Sequence, residues 1–459
     1  MSTNIQLQQR AYKFCLAPTP AIQRMFESHA GGARVAYNWG ISTVAKALDV
    51  YATELAAGIP MTERTKRPKH FDLCKMWTAF KNEHATEPDE MDRTYAWVSQ
   101  NFVGTYQAAL RDAAGAWDKF FDSRKGLRAG RKTGRPKFKS RHKNAPSFQV
   151  HGTTLKMIDQ SHINLPKIGA VKIPGMLRLP EWQKNNGSTP RKLMRLLRKP
   201  PVKCPSCTES GACKICKGKG VVPAARLIRA TISRGASGTW WCSVTAEVAM
   251  SIQVNQTRRQ IANGTIGLDL GTRFIAVDSN GVKYENPQHL DQSLTELKIA
   301  QRALSRCEEG SRRSEKARKK VGTIHERVAL MRKDSTDRVS SSLARGYALI
   351  AVEGWDVQQL AEKGNAKAPK SLRRRRNRQL ADAAPGMMRW QLEYKASWFG
   401  ASFHKTGRND PTGRTCSSCG GVNAEPVPLG QEMFTCDACS MTMCRRTNAA
   451  RVVRQLASR

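Results

Sequence analysis

Two short apolar segments that each carry one acid constrain the fold of this chain more than any other feature. Residues 265–284 (TIGLDLGTRFIAVDSNGVKY) predict a buried strand, a Gly-Thr turn, a second strand and a hairpin turn at 279–281. Asp269 lies in the middle of the first strand, where a charge is costly unless it binds something. Glu353 ends another apolar strand, residues 349–352. Each acid taken alone fits either a structural hydrogen-bond acceptor or a metal ligand.

Taken together, the two acids favour a metal site. Acids on the first strand and on a later parallel strand of a mixed sheet, closed by a helix, are typical of the RNase H-like fold. In that fold, carboxylates converge on two Mg²⁺ ions, which activate water and stabilise the leaving oxygen. Asp269 and Glu353 are therefore candidate catalytic, metal-binding residues.

The charge balance points to a polyanionic partner. The chain has 459 residues, and its 77 Lys and Arg against 37 Asp and Glu give a net charge of +40. Self-repulsion of this size does not favour folding, so we expect the partner to be nucleic acid. A solvated basic surface accounts for a few excess charges but not for this number.

The basic residues lie in three internal clusters, residues 123–143, 191–203 and 371–380. The first is rich in Gly and Pro and predicts a loop, whereas the second predicts a helix that ends before its prolines. None is terminal and each is flanked by apolar periodicity, so we expect channel walls for a phosphate backbone rather than disordered tails. The candidate nucleic-acid-binding residues are Arg131, Lys132, Arg135, Lys137, Lys139, Arg373, Arg374, Arg375 and Arg376.

The 13 cysteines include two quartets with metal-ligand spacing. The first quartet has two Cys-x-x-Cys pairs separated by 16 residues, which predicts a zinc ribbon with one tetrahedral ion rather than four free thiols. Such a filled site is structural and would order a segment that is too short to form its own core. Its ligands are Cys416, Cys419, Cys436 and Cys439.

The second quartet lies in residues 204–220 (CPSCTESGACKICKGKG), and only five residues separate its pairs. This spacing predicts a second zinc site, and the alternative is a reduced, mobile surface insert. Glycines and lysines near its end suggest a zinc knuckle that contacts the phosphate backbone of a nucleic acid. Its candidate ligands are Cys204, Cys207, Cys213 and Cys216, and the remaining five cysteines are interpreted as core filler.

Hydrophobic periodicity divides the remaining sequence into helices and strands. Apolar spacing near 3.6 predicts helices over 21–48 and 91–122, whose aromatic faces we interpret as core. Alternation predicts antiparallel strands within 148–183 and 224–250. Residues 290–343 predict a helical hairpin broken near Gly310.

The compartment follows from what the sequence lacks. No apolar run approaches the ~18 residues that a membrane span needs. The segment 1–20 has no signal-peptide h-region. We therefore expect a cytoplasmic protein without membrane partners, and free cysteines in a reducing compartment support metal binding over disulfides.

The chain resembles the transposon-encoded TnpB nucleases and the small type V CRISPR effectors, which share a RuvC-type domain. The resemblance follows the family's order through most of the chain: YKFCLAPTPAIQRMF, GGARVAYNW, GRPKFKSRHKNAPSF, GLDLG, KARKKVGTIHERVALMRKD, AVEGWDVQQL, RWQLEYKASWFGA, the four-cysteine ribbon and TNAAR. The insert 204–220 has no place in it. The resemblance implies that Asp269 and Glu353 are the first two acids of the RuvC site.

The third acid of the family lies in a pattern of the type Asp-Arg-Asp-x-Asn-Ala-Ala. In this chain the pattern falls on CRRTNAA, so Cys444 replaces its first Asp and Arg446 replaces the catalytic Asp. A guanidinium removes an attraction for Mg²⁺ and adds a repulsion, since arginine does not deprotonate. We expect Mg²⁺ to bind weakly at most, with Arg446 able to pair with an acid instead. The alternative is that Asp437 or Asp410 supplies the missing ligand.

The expected architecture is multidomain α+β. A wedge-like β-barrel domain is predicted from 1–45 and 148–250 with the zinc insert 204–220, and a helical recognition domain from 46–147. An RNase H-like (RuvC) α/β domain over 251–459 would contain the helical hairpin 290–343 and the zinc ribbon 412–443. One or two structural zinc ions are the expected cofactors.

The resemblance implies a guide RNA that pairs with one strand of target double-stranded DNA, in a prokaryotic cell. The chain most resembles the nuclease-deactivated members, so we predict silencing of targets by binding, as a block to transcription or replication, without DNA cleavage. One alternative is an active, Mg²⁺-dependent RNA-guided endonuclease, and another is a guide-independent nucleic-acid-binding protein. Whether the guide derives from a CRISPR array, as in antiviral defence, or from a transposon stays open, as does the oligomeric state.

Overall fold

A computed structural model describes residues 3–90, 93–128, 132–141, 143–175, 189–207, 213, 215–253, 255–354, 369–425, 427 and 431–458. The candidate Arg131 lies outside these residues. The chain divides into two units. The N-terminal unit comprises Leu7–Val202 and Val221–Ala249, and the C-terminal unit comprises Met1–Gln6, Lys203–Gly220 and Met250–Arg459.

In the first half of the chain, helices dominate residues 20–124 and strands dominate residues 147–253. In order, the elements are β1 (Thr3–Leu16), α1 (Pro20–Ala56), α2 (His70–Glu83), a 3₁₀ helix (Ala96–Gln100), α3 (Val103–Arg124), β2 (Ser147–His151), β3 (Lys156–Met157), β4 (His162–Leu165), β5 (Gly169–Lys172), α4 (Thr189–Leu197), β6 (Val202–Lys203), β7 (Val221–Val222), β8 (Ala225–Arg234) and β9 (Trp240–Gln253). The predicted antiparallel strands and the short helix before the prolines are present.

The strands of this half form a four-stranded sheet in the order β1-β9-β8-β2, a three-stranded sheet in the order β3-β4-β5 and a two-stranded sheet of β6 and β7. Aromatic side chains fix helix α1 to the larger sheet, since the ring centroid of Phe26 lies 5.0 Å from Trp240 and 5.6 Å from Phe148. The predicted barrel would require these sheets to close on each other, and it stays a prediction.

The helix predicted over 91–122 begins later than the sequence indicates. Residues 96–100 form a 3₁₀ helix and α3 begins only at Val103. The reason is tertiary: the backbone N–H of Phe102 donates to Nε2 of His29 (3.1 Å), so it is not available to a helical carbonyl. Asn101 is held nearby by donating to the Tyr106 hydroxyl (3.1 Å).

The second half continues with α5 (Arg258–Asn263), β10 (Thr265–Leu270), β11 (Phe274–Asp278), β12 (Lys283–Glu285), α6 (His289–Ser305), α7 (Arg312–Gly346), β13 (Leu349–Val352), α8 (Lys370–Ala383), α9 (Pro385–Trp398), β14 (Ser402–Lys405), β15 (Met433–Thr435), β16 (Thr442–Cys444) and α10 (Arg445–Leu456). The segment 290–343, predicted as a hairpin broken near Gly310, is occupied by the helices α6 and α7, and residues 306–311 separate them. None of the helices described has both the length and the apolar character needed to cross a membrane.

A five-stranded mixed sheet organises the C-terminal unit, in the order β12-β11-β10-β13-β14. β10 pairs antiparallel with β11 and parallel with β13, so the predicted parallel partner of the Asp269 strand is present. The core beneath the sheet includes Met388, Leu392 and Ala396 of α9, at most 1% exposed. Their four-residue spacing places one helix face against the sheet, and each large side chain contributes about 1.5–3 kcal/mol on burial.

Candidate metal sites and nucleic-acid interface

Asp269 and Glu353 lie side by side at the ends of two parallel strands. The register pairs Leu268 of β10 with Val352 of β13, so the next residue of each strand is one of the two acids. Both side chains line one cavity of about 240 Å³. The sequence prediction that these two acids converge therefore agrees with the structure.

Helix α10 crosses β10 closely enough to bring its first turn to Asp269. The approach depends on Gly267, where a Cβ would overlap the carbonyl oxygen of Ala450. Gly271 leaves space for the guanidinium of Arg446, which an added Cβ would also overlap. Both glycines therefore contribute to the site by leaving room for α10 and for the Arg446 side chain.

Arg446 forms an ion pair with Asp269 inside the cavity. Its Nη1 donates to Oδ2 of Asp269 at 3.0 Å, and the two side chains are only 19% and 14% exposed. Burial, and after it the neighbouring Glu353, raise the pKa of Asp269, whereas Arg446 and Arg445 lower it, and together these effects raise the pKa to about 7. In such a site, removing one partner of an ion pair costs about 3–5 kcal/mol, because the other charge is left uncompensated.

Glu353 also has a neutral partner that sequence reasoning missed. The hydroxyl of Thr412 donates to its Oε1. Arg414 and Arg445 complete the basic side of the same cavity. No sequence motif marks Thr412 as a functional residue, so only the fold could reveal this contact.

The donor set of this cavity does not fit a divalent cation. Its described lining contains two carboxylates against the guanidinium groups of Arg414, Arg445 and Arg446. Mg²⁺ requires several oxygen ligands in near-octahedral geometry, and here Oδ2 of Asp269 already accepts from a guanidinium. Asp410 accepts from the Gly407 N–H (2.7 Å), and neither it nor Asp437 is among the described lining residues.

The first cysteine quartet forms a complete tetrahedral donor set. The four Sγ atoms all lie within 4.8 Å of one another, with 3.7 Å between Cys416 and Cys439 and 3.6 Å between Cys419 and Cys436. Four sulfurs at about 2.3 Å from a zinc ion would have similar separations. The strand pair β15–β16 and the fully buried Phe434 support this cluster.

The asparagine of the CRRTNAA motif, Asn448, connects helix α10 to the ribbon. This side chain is fully buried; its Oδ1 accepts from the Ser417 N–H (2.8 Å) and its Nδ2 donates to the Thr415 carbonyl (2.7 Å). Gln455, about two turns farther along the helix, donates to the Ser417 carbonyl (2.7 Å). The loop that holds Cys416 is therefore attached to the helix that carries Arg446.

The second quartet also converges. Its Sγ atoms lie within 4.8 Å of one another, and the Cys204–Cys213 and Cys207–Cys216 separations are 3.6 and 3.1 Å. The turn uses left-handed backbone at Lys217 and Gly218, which allows the chain to reverse within few residues. Both clusters fit zinc, and thirteen free cysteines are consistent with thiolate ligands.

The basic residues of the 132–141 segment extend over aromatic rings of the N-terminal unit. Arg135 lies 5.6 Å from the Trp117 ring, and Nζ of Lys139 lies 3.9 Å from the Tyr37 ring. Lys132, Arg135 and Lys137 are exposed, whereas Lys139 is half-buried and burial lowers its pKa.

The four consecutive arginines lie on helix α8. Arg373, Arg374 and Arg375 are exposed and Arg376 is half-buried. Consecutive helical residues point about 100° apart, so the four side chains surround the helix and cannot all contact one phosphate backbone. The sequence prediction treated them as one cluster, and the helix separates them into different faces.

Three family models match the chain. The OrfB_IS605 model ("Probable transposase") matches residues 246–364, the Cas12f1-like TNB domain matches 386–453, and the OrfB_IS605 helix-turn-helix domain matches 8–49. The first two include Asp269, Glu353, the zinc ribbon and Arg446. Residues 8–49 are strand β1 and helix α1 in this structure.

Two curated relatives match 96% and 77% of the chain. A "Putative RNA-guided DNA endonuclease" of Mycobacterium tuberculosis is 29% identical over 96% of this chain and 85% of its own length. "Putative RNA-guided DNA endonuclease InsQ" of Escherichia coli K12 is 24% identical over 77% of this chain and 74% of its own. The solved "mini-RNA-guided endonuclease CRISPR-Cas_phi3" aligns at 11% identity over 98% of this chain and 92% of its own, with a TM-score of 0.42. By these family models and relatives, the chain resembles the TnpB-like family.

Proposed function

We propose that this protein is an RNA-guided DNA-binding effector that silences its targets by occupying them and does not cut them. The relatives are named as RNA-guided DNA endonucleases, and the net charge of +40 suits a guide RNA and a target DNA duplex. The protein would recognise the RNA–DNA heteroduplex by its backbone and shape, while base pairing supplies the sequence specificity.

The domain assignment is part of this proposal. The mixed sheet, with β10 parallel to β13 and antiparallel to β11, supports an RNase H-like (RuvC) domain over 251–459. A wedge-like domain over 1–45 and 148–250 and a helical recognition domain over 46–147 would hold the nucleic acids. The two cysteine clusters would each bind a structural zinc ion.

The ion pair between Arg446 and Asp269 carries the proposal that the RuvC site is inactive. At about 4 Å and an effective dielectric of 20, each unit-charge interaction is on the order of 4 kcal/mol, and a divalent ion doubles it. The arginine both repels the ion and neutralises its ligand. The combined change is comparable with the whole affinity of a weak Mg²⁺ site.

Silencing without chemistry follows from the proposed complex. A protein that holds an open RNA–DNA heteroduplex obstructs a polymerase for as long as the complex lasts. The duration depends on guide pairing and phosphate contacts, both of which are separate from the acid cavity.

One observation favours a second candidate function, an active RNA-guided endonuclease. Asp269 and Glu353 still occupy adjacent strand ends, as two carboxylate ligands of a nuclease would. If a bound strand displaced Arg446 and a third oxygen ligand entered, Mg²⁺ binding would follow. The two functions differ in the outcome of one measurement.

The test is to purify the wild-type protein with its associated RNA and to incubate the complex with a plasmid that carries a guide-matched target. We expect guide-dependent retention of the plasmid with both strands intact in Mg²⁺. The folded Asp269→Ala variant should bind equally well, because the acid holds no catalytic metal, although the unpaired Arg446 will lower its stability. Guided, metal-dependent cleavage by the wild type that disappears in Asp269→Ala would establish the endonuclease instead.

A further inference from the structure

A cavity of about 540 Å³ in the N-terminal unit is lined by aromatic rings. Trp39 of α1, Phe80 of α2 and Tyr95 contribute adjoining walls, with ring-centroid distances of 5.5 Å between Trp39 and Phe80 and 5.0 Å between Phe80 and Tyr95. Its volume lies within the range of small-ligand pockets, and such apolar walls suit a flat aromatic ligand.

Phe138 adds a fourth ring to the lining and is 64% exposed. It belongs to the basic segment 132–141, and the next residue, Lys139, is fixed to helix α1. Asn38 Nδ2 donates to the Lys139 carbonyl (2.9 Å) and the Lys139 N–H donates to Asn38 Oδ1 (2.7 Å). The segment is therefore held on the helix by both backbone groups of one residue, while the Phe138 ring contributes little to the core.

Among the residues described, His84 lines the same cavity beside Phe80. Its Nδ1 is buried, forms no hydrogen bond and has almost no accessible surface. The contacts with a ligand would therefore come from the rings rather than from this atom.

Two ion pairs lie in the lining of the cavity, Asp89 with Arg93 (2.7 Å) and Glu90 with Lys46 (3.5 Å). Because both cations are already paired with carboxylates, they offer little attraction to a phosphate inside the cavity. Lys137 is exposed next to Phe138, where a phosphate outside the cavity would be attracted.

From this arrangement we propose that the cavity takes one unpaired nucleobase of a bound RNA, stacked on Phe138, with the RNA backbone on the basic segment outside. The inference rests on the proposed function because it presumes an RNA partner. Every base has a π-face, so stacking on aromatic side chains tolerates sequence variation. Unpaired RNA bases are the usual targets of such stacking, whereas duplex DNA has its bases paired.

The test compares two single-stranded probes with the full-length protein: oligouridylate, and an abasic ribose-phosphate polymer of equal length. Phe138→Ala should weaken oligouridylate binding about ten-fold and leave the abasic polymer unaffected, because only bases stack. The salt dependence of binding should not change, since no phosphate contact is lost. Phe138→Trp should restore wild-type affinity.

Phe71→Ala is the matched control, because Phe71 is an exposed phenylalanine of the same unit, 78% exposed, and does not line the cavity. It should bind both probes as the wild type does. Equal affinities of Phe138→Ala and Phe71→Ala for oligouridylate would overturn the proposal, as would an equal loss for the abasic polymer. A larger effect with oligothymidylate would overturn the assignment to RNA. If the wild type bound neither RNA probe, the proposed function would fail as well.

Discussion

The zinc ribbon and the acid cavity both contact helix α10. The ribbon has a complete set of four metal ligands, whereas the acid cavity does not. All four sulfurs of the ribbon come from residues 416–439 and converge within 4.8 Å. The cavity combines acids from β10 and β13 with Arg446 of α10, and Arg446 is 177 residues from Asp269 in sequence. Asn448, two residues after Arg446, connects the two sites.

The difference shows what a single substitution can do in each kind of site. A ribbon that loses one sulfur loses the tetrahedron and the local fold with it, since its segment has little other core. The cavity has an arginine where the family pattern has a carboxylate, and its fold is intact because an ion pair compensates the charge. A substitution in the ribbon is therefore expected to disrupt the local fold, whereas a substitution in the acid cavity is expected to change metal binding and leave the fold intact.

The largest expected effect is the loss of the ribbon in Cys416→Ser. Apparent free energies of structural zinc sites, about 10–16 kcal/mol, match or exceed the stability of a whole domain. We expect one zinc ion fewer per chain by metal analysis and increased hydrogen exchange in the region of β15 and β16. Two zinc ions per wild-type chain would support the second cluster.

Cys307→Ser is the control for this change, because Cys307 belongs to neither cluster and its thiol donates only to a helix carbonyl (3.2 Å). It should retain the zinc content and the exchange protection of the wild type. Zinc-free wild-type protein with a protected ribbon would show that the four sulfurs hold no structural ion.

Restoring a carboxylate in the cavity should produce the next largest effect. Arg446→Asp replaces a repulsion by an attraction, each on the order of 4 kcal/mol per unit charge at an effective dielectric of 20. Calorimetric titration with Mg²⁺ should show at least a ~100-fold gain in affinity over the wild type. Arg454→Asp, on the same helix but outside the cavity, should show no such gain. A wild-type protein that binds Mg²⁺ as tightly as Arg446→Asp would contradict the role of the ion pair.

The sequence predicted which side chains converge better than it predicted the contacts that orient them. Cysteine pairs and strand-end acids are predictable because ligand type and spacing are local, and alignment to a family pattern located Arg446. Thr412, Arg414 and the clamp by Asn448 were not predictable, because their partners are remote and depend on how α10 crosses the sheet. The late start of α3 has the same origin, since His29 is the acceptor for the Phe102 N–H.

Asn448→Ala should remove the hydrogen bonds that attach the ribbon to helix α10, with an intermediate effect on the free energy of unfolding. The change leaves the Ser417 N–H and the Thr415 carbonyl without their buried partner, which we expect to cost about 2 kcal/mol of unfolding free energy. Denaturant unfolding of the zinc-loaded protein measures this loss. Gln455→Ala removes one exposed contact to the same loop and should cost less than half as much. Equal costs would mean that the clamp is not specific to Asn448.

The smallest expected effect concerns the arginines of α8 and tests whether its faces act separately. Arg373 and Arg376 are three residues apart and share a face, whereas Arg374 and Arg375 point away from each other. If a duplex lies along one face, Arg373→Ala/Arg376→Ala should reduce the salt slope of DNA binding by about 1.8, which is twice 0.9 per phosphate contact. Arg374→Ala/Arg375→Ala removes the same charge but at most one contact on any single face, so its slope should fall by about 0.9 or less.

Binding should weaken similarly for every guide, because phosphate contacts carry no sequence information. Equal slopes for the two double variants would show that α8 acts as a diffuse positive charge, and a guide-specific loss would contradict a backbone role altogether.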